Sequence, residues 1–233
     1  MAKTILDAIG IVNNIINKNK SKNWLIVGKG PSASHVFGKP VEQDYCVISL
    51  NHACKIVSAH VAFFVDIEAI SDCAEQFCSA NNKIPFLVLP FYPHINFCEN
   101  KNQHISQHLE QDKKAKKYGG ALACAFAQNK LAGYNKSIDF NEVVKTKDLI
   151  PAPANAPVLV REFSAVGAFS LLLAAGVRND IYTVGIDGGN SYSPLFDRKD
   201  LLANGRASFD SQFEWIEKLC RYYGVGWKRL FTS

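Results

Sequence analysis

The sequence predicts a single α/β domain, with a largely parallel β-sheet and helices on both of its faces. Short apolar segments of strand length alternate with longer segments of helical periodicity, and such crossovers join parallel strands. Two apolar segments also end in glycine-rich turns, which is typical of strands that lead to a ligand-binding edge. Because no repeat, low-complexity tract or second apolar core is evident, we expect residues 1–233 to form one domain, with a lid or insertion at about 90–157.

The composition is that of a folded protein that needs no metal or disulfide to supply its core. Of the 233 residues, 48% are hydrophobic and 20% are charged, and a chain of this length buries roughly 70% of its unfolded surface. The 26 Lys and Arg against 21 Asp and Glu give a net charge of +5, which is too dispersed for a nucleic-acid-binding arm. We therefore expect an anionic small molecule or an anionic membrane surface as partner, and no nucleic acid.

Residues 1–20 have helical amphipathicity, with apolar residues at Ile5, Ile9, Val12 and Ile16, and they lack the core of a signal peptide. No apolar run reaches the ~18 residues of a membrane span. The seven cysteines follow no regular framework, which indicates a reducing compartment and no structural zinc: Cys46, Cys54, Cys73, Cys78, Cys98, Cys124 and Cys220. These features predict a cytoplasmic protein.

The elements expected in the first half are an initial helix, four strands and a further helix. The predicted strands are 24–27, 45–50, 60–65 and 85–89, and the further helix spans 67–80. In the second half we expect an Ala-rich helix at 121–131, an apolar helix at 164–176, a strand at 180–184, a helix at 209–223 and a strand near 225–231. Residues 151–157 contain three prolines, so we expect a connector there.

A glycine-rich turn, Gly28-Lys29-Gly30-Pro31-Ser32, follows the first strand. Glycines allow close backbone approach to a ligand, and free amides in such a turn hold phosphate. The Walker spacing is absent, and the dinucleotide motif lacks its third glycine because position 33 is Ala33. The turn is therefore either a phosphate site or a plain tight turn, and its place at the carboxyl end of a strand favours a site.

Polar residues follow three further strands. The side-chain amide of Asn51 can donate to phosphate or ribose. Asp66 can accept from ribose hydroxyls, pair with Lys29 or hold a metal. The alternative for each residue is an ordinary helix N-cap. Asp187 stands in the second glycine turn, 185–189. Tyr192 can donate to a departing phosphate, unless it is a packed loop aromatic. The four strand ends together indicate one site on one edge.

The histidines do not predict a catalytic or metal site. All six, His35, His52, His60, His94, His104 and His108, lie in the first half of the chain. His104 and His108 form a candidate metal pair without a third ligand, and no Ser or Cys hydrolase signature is present.

These elements, taken in order, resemble the bacterial sialyltransferases of glycosyltransferase family 42. The likeness covers residues 25–66 and, more tightly, residues 161–197, with Arg161-Glu162-Phe163-Ser164-Ala165-Val166, Gly185-Ile186-Asp187, Ser191-Tyr192 and Phe196-Asp197 in matching order. More distantly, DUF115 or MptE-like diphosphokinases share the Gly-Pro-Ser and Gly-Ile-Asp elements.

The resemblance implies a Rossmann-like domain, a variant of the GT-A type, that transfers sialic acid or a related sugar from a CMP-activated donor with inversion. It implies no metal or other cofactor. It assigns catalytic roles to Tyr192, which would stabilise the departing phosphate, and to Asp187. It assigns nucleotide-sugar binding to Gly28, Gly30, Pro31, Ser32, Asn51, Asp66, Ser164, Ala165, Gly185, Ile186 and Asp187.

Three features depart from the family pattern. Asp66 replaces the usual asparagine, Gly189 falls where a second phosphate tyrosine is expected, and no histidine follows His108 to act as the base. Loss of a general base typically lowers a rate by a factor of ~10²–10⁴. Either a carboxylate (Asp197, Asp200 or Asp210) or a histidine of the middle segment substitutes, or the protein is not a sialyltransferase.

The leading hypothesis is therefore a glycosyltransferase of cell-envelope glycan synthesis, such as that of lipopolysaccharide, acting on a glycan or lipid-linked glycan. The initial helix and the basic charge would suit peripheral contact with the inner membrane, and homo-oligomerisation stays open. The alternatives are an MptE-like diphosphokinase, with Asp66 and Asp187 holding Mg²⁺, and a non-catalytic nucleotide-binding protein.

Overall fold

A parallel β-sheet forms the centre of the computed structural model, which describes residues 5–78, 84–90, 113–144, 151–153, 156–161, 163–196 and 208–231. The strands are β1 Leu6–Asp7, β2 Asn23–Val27, β3 Tyr45–Leu50, β4 Val61–Phe63, β5 Phe86–Pro90, β6 Leu131–Ser137, β7 Pro157–Leu159, β8 Ile181–Val184 and β9 Trp227–Arg229. The α-helices are α1 Ala8–Lys18, α2 Ile67–Asp72, α3 Ala74–Cys78, α4 Lys113–Ala127, α5 Phe140–Val144, α6 Ser164–Ala174 and α7 Ser211–Tyr223. Short 3₁₀ helices span Pro31–Val36, Val41–Gln43 and Asn51–Lys55.

The order of the strands reverses at β2. The sheet runs β1-β6-β5-β4-β3-β2-β8-β9, with β7 beside β6, and every pairing between the described strands is parallel. Trp24 of β2 pairs with Cys46 of β3 on one side and with Ile181 of β8 on the other. Because the chain leaves β2 towards β3 and later returns on the opposite side, the loops after β2 and β8 diverge and leave a crevice at the carboxyl edge.

Helices cover both faces of the sheet, which confirms the predicted fold class. Trp24 and Ile26 belong to the core that includes α1, α6 and α7. Leu25 and Val27, which alternate with them, face the 3₁₀ helix Pro31–Val36 instead. The side chains of β4 and β5 on that second face pack against α2, α3 and α4.

The helix α6 is buried on all sides, as expected for a helix without a polar face. Its residues from Ala165 to Ala174 are all buried. A Cβ atom on Gly167 would lie 2.8 Å from Cζ of Phe63, so glycine lets α6 approach β4 closely. The helix is therefore packed closely against the sheet, with Ser164 at its first turn.

The apolar face of α1 is part of the core, including Ile9 and Val12. Asp7 caps this helix by accepting a hydrogen bond of 2.7 Å from the Gly10 amide. The expected membrane contact through this helix is therefore not supported, because its apolar side chains are already buried against the sheet. No helix among the described residues is long and apolar enough to cross a bilayer.

Several predicted boundaries change in the structure. The helix expected at 67–80 is interrupted at Cys73, between α2 and α3, and its last two residues are outside the described ranges. The Ala-rich helix ends at Ala127, before Asn129 with its positive φ of 53°. Strands β1, β6 and β7 were not expected, although Pro157 fits its place as the first residue of a short edge strand. Within the segment 90–157, residues 113–144 thus add a strand to the central sheet.

Candidate functional site

A cavity of about 310 Å³ opens at the carboxyl edge of the sheet, where β2, β3, β4 and β8 end. This is the point at which the strand order reverses, the usual position of a ligand site in an open α/β sheet. Its lining residues are Gly28, Lys29, Gly30, Leu50, Asn51, Val65, Asp66, Lys136, Arg161, Phe163, Ser164, Ala165, Gly185, Ile186, Asp187, Gly188, Ser191, Tyr192, Phe209 and Gln212. The four polar strand ends singled out in the sequence therefore share one cavity.

The two glycine turns pack directly on each other. The amide of Gly30 donates to the carbonyl of Gly185 at 2.8 Å, and a Cβ atom on Gly28 would lie only 2.3 Å from that carbonyl oxygen. Gly185 also has a φ of +69°, in the left-handed region that favours glycine. The glycines were expected to let a ligand approach; in the structure they also let the two turns approach one another.

Ser32 and Asp187 form the hydrogen bonds that join these turns. The Ser32 amide donates to Oδ2 of Asp187 at 2.8 Å, and the Ser32 hydroxyl donates to Oδ1 at 2.5 Å. The same hydroxyl accepts from the Gly185 amide at 2.7 Å. Ser32 is buried and, like Pro31, is not among the residues that line the cavity. Asp187 does line the cavity, but both of its carboxylate oxygens are engaged by Ser32.

Asn51 connects the ends of two strands to the start of α6. Its Nδ2 donates to the Ser164 hydroxyl at 3.1 Å, and its Oδ1 accepts from the Val65 amide at 3.3 Å. Its φ of +48° is in the left-handed region, which asparagine tolerates better than most residues. Asn51 is thus a wall residue that also fixes the geometry of the wall.

The N-terminus of α6 faces the cavity through Ser164 and Ala165. Phe163 precedes the helix and forms no side-chain cap. The first amides of a helix carry a partial positive charge, which favours an anion in front of them.

Three cationic side chains line the cavity, namely Lys29, Lys136 and Arg161. The Arg161 guanidinium stacks 4.1 Å from the ring centre of Trp215, and its buried Nε has no hydrogen-bond partner in the described structure. The sequence patterns assign no role to Lys136 or Arg161, because Lys136 lies on the unpredicted strand β6 and Arg161 is part of a motif without a stated function. The acidic residues of the described wall are Asp66 and Asp187, so cationic side chains outnumber carboxylates by three to two, which favours an anionic ligand.

Tyr192 lies on the wall beside Lys29. The ammonium of Lys29 is 5.0 Å from the ring centre of Tyr192, and the ring of Phe209 packs edge-on at 5.5 Å. Ser193, the next residue, donates from its amide to the Lys29 carbonyl at 2.8 Å. The loop after β8 therefore holds Tyr192 against the loop after β2.

Asp66 follows β4 and is exposed at the cavity wall. Its side chain does not cap α2. Asp66 and Asp187 are the acidic residues there that could hold a metal, although the described residues contain no group of three or more His, Cys, Asp or Glu side chains around a common point.

Of the residues that the sequence offers in place of a histidine base, the structure describes Asp210. Asp210 is exposed and accepts hydrogen bonds from the Ser208 hydroxyl at 2.5 Å and the Gly189 amide at 3.0 Å, which lower its pKa. It therefore anchors the turn at Gly189, and neither residue belongs to the cavity wall. The remaining candidates, Asp197, Asp200, His94, His104 and His108, fall outside the described residues.

His52 lies next to Asn51 but does not line the cavity. Its Nε2 is 3.1 Å from Oδ2 of Asp72, and its Nδ1 is buried without a partner in the described structure. Burial lowers its pKa, partly opposed by the hydrogen bond to Asp72. His52 therefore joins the 3₁₀ helix after β3 to the end of α2.

Comparisons with known proteins give matches among solved structures. No protein-family model matches the chain, and no curated protein sequence matches it significantly. Two structures are similar: the sialyltransferase CST-II in complex with a trisaccharide acceptor and CMP, and the sialyltransferase CstII from Campylobacter jejuni in complex with a substrate analogue, CMP-3FNeuAc. Each is 18% identical, with a TM-score of 0.45, over 90% of this chain and 81% of that chain.

Proposed function

We propose that this chain is a glycosyltransferase that binds a CMP-activated sugar, such as CMP-sialic acid, and transfers the sugar with inversion to a glycan. The observation that carries the proposal is the convergence of Lys29, Tyr192 and the N-terminus of α6 on one cavity at the point where the strand order reverses. This arrangement suits a phosphate at the centre of the ligand.

The same groups suit the chemistry of a monophosphate leaving group. Negative charge develops on the phosphate as its bond to the sugar breaks, and donors aimed at that charge lower the barrier. The Tyr192 hydroxyl and the Lys29 ammonium, together with the amides of α6, would supply this stabilisation. Metal independence is part of the proposal because the cationic wall can balance the phosphate charge by itself.

Lys136 and Arg161 add two further positive charges to the wall. They would favour a donor or acceptor with an anionic group besides the phosphate, such as the carboxylate of a sialic acid. A glycan or lipid-linked glycan of the cell envelope, modified in the cytoplasm, is the acceptor that the sequence resemblance supports. Contact with an anionic membrane would have to use a surface other than the buried face of α1.

A thermal-shift screen tests this proposal. CMP, CDP, UDP, GDP, ADP and ATP would each be added with EDTA or with Mg²⁺, because a ligand at 100 times its dissociation constant stabilises a protein by ~2.7 kcal/mol. We expect CMP or CDP to raise the melting temperature in EDTA. A response to ATP with Mg²⁺ alone would contradict the proposal and favour the diphosphokinase. CMP binding without turnover on any acceptor would favour a non-catalytic binding protein.

A further inference from the structure

The reaction proposed above requires a proton acceptor in the cavity, and the inference that follows rests on that proposed function. A hydroxyl oxygen of the acceptor attacks the anomeric carbon and forms a new C–O bond. The C–O bond to the phosphate breaks, and its electron pair leaves with CMP. The hydroxyl proton must then pass to a base on the side of the sugar opposite the phosphate.

The described wall offers few groups that can accept this proton. It contains no histidine, and its carboxylates are those of Asp66 and Asp187. Asp187 already accepts two hydrogen bonds from Ser32, so using it as a base would weaken the contact between the two glycine turns. The Asp66 carboxylate caps no helix amide, and it has no hydrogen-bond or ion-pair partner among the described residues.

The position of Asp66 along the sheet edge also fits this role. Lys29 follows β2, whereas Asp66 follows β4, two strands away with β3 between them. Neighbouring strands are about 4.8 Å apart, so the two backbone positions are separated by about 10 Å. Asn51, after β3, lies between them on the same wall. A sugar over Asn51 would therefore have Lys29 and Tyr192 on one side and Asp66 on the other.

We propose that Asp66 is the general base that accepts the proton of the attacking hydroxyl. It is exposed at the wall, and solvent can remove the proton after transfer. Asp66 would thereby replace the histidine base that the sequence resemblance implies, since no histidine follows His108 in this chain.

The test is the release of CMP from CMP-N-acetylneuraminate, with water as the acceptor, in EDTA and across a range of pH. In Asp66→Asn we expect the rate to fall by ~10²–10⁴-fold, and the acid limb of the wild-type pH profile to disappear. CMP binding, measured by thermal shift, should persist in this variant because the phosphate-binding groups are unchanged. Glu75→Gln removes an exposed carboxylate from the neighbouring helix α3 and should release CMP at the wild-type rate.

The other outcomes distinguish failure of the Asp66 assignment from failure of the proposed function. Wild-type rates in Asp66→Asn would overturn the assignment of the base and leave the proposed function intact. CMP binding by the wild-type protein without CMP release above the enzyme-free blank would also overturn the assignment. Failure of the wild-type protein to bind CMP would overturn the proposed function itself, and this inference with it.

Discussion

At the scale of single residues, Ser32 supports the site without being on its wall. Its hydroxyl donates to Asp187 and accepts from the Gly185 amide. The Ser32 side chain therefore joins the first glycine turn to a residue 155 positions later in the chain. No local pattern in the sequence reveals such a pair. Ser32 and Asp187 were predicted to contact the nucleotide and to act in catalysis, and these predictions remain to be tested. The structure gives both residues a positioning role.

Ser32→Ala should destabilise the fold. It would leave the Gly185 amide without its acceptor, and an unsatisfied buried donor costs about 1–3 kcal/mol. The free energy of unfolding, measured in urea, should fall by this amount. Ser34→Ala is the matched control, because Ser34 is an exposed serine of the same 3₁₀ helix and its hydroxyl contacts only the nearby Pro31 carbonyl. Equal stability of the two variants would contradict the positioning role.

Gly28→Ala should separate the two glycine turns. The new Cβ would be 2.3 Å from the Gly185 carbonyl oxygen, so the backbone must shift, and both stability and CMP binding should decrease. Gly120→Ala is the contrast, because that Cβ meets nothing within 4 Å, and alanine in a helix is favoured over glycine by up to about 1 kcal/mol. If Gly28→Ala bound CMP like the wild-type protein, the tight contact would not matter for the site.

At the scale of elements, Asn51 connects the end of β3 with the start of α6. Asn51→Gly keeps the left-handed backbone accessible but removes both side-chain hydrogen bonds, whereas Asn51→Ala also adds backbone strain of about 1–2 kcal/mol. We expect CMP binding to weaken in both variants, and stability to fall further in Asn51→Ala. Calorimetric titration and urea unfolding measure the two effects separately. Unchanged CMP affinity in Asn51→Gly would show that the side chain does not organise this wall.

The burial of His52 should make stability depend on pH. Burial lowers the pKa of folded His52 below its ordinary value of 6.5, so the unfolded chain takes up the proton first as the pH falls. Stability from this group is therefore present above about pH 6.5 and is lost below it. His52→Gln should reduce the loss of unfolding free energy between about pH 7.5 and 5.5. A slope in His52→Gln equal to that of the wild-type protein would contradict this assignment.

At the scale of the whole molecule, the reversal of strand order at β2 explains why residues so distant in sequence form one cavity. The strand ends at Gly28, Asn51, Asp66 and Gly185 were predicted to share an edge, and the structure brings them together on one wall. This was predictable because apolar strands and the glycines that end them are local signals.

Other parts of the cavity were not predictable from local patterns. The strand β6, Leu131–Ser137, carries glycine, asparagine and lysine, and its burial depends on the neighbouring strands β5 and β1 rather than on alternating residues. Lys136 was missed with it. Arg161 is positioned by stacking on Trp215, which lies on α7, 54 positions later in the chain. No short motif encodes such an interaction.

The most direct test of the central claim is a calorimetric titration of CMP, in EDTA, against the wild-type protein, Lys29→Ala and Lys39→Ala. Lys29 lines the cavity, whereas Lys39 is an exposed lysine on the loop before β3. We predict one CMP site in the wild-type protein and in Lys39→Ala, with at least about tenfold weaker binding in Lys29→Ala, equivalent to about 1.4 kcal/mol. No binding to the wild-type protein, or equal affinity in all three proteins, would contradict the assignment of this cavity as the nucleotide site.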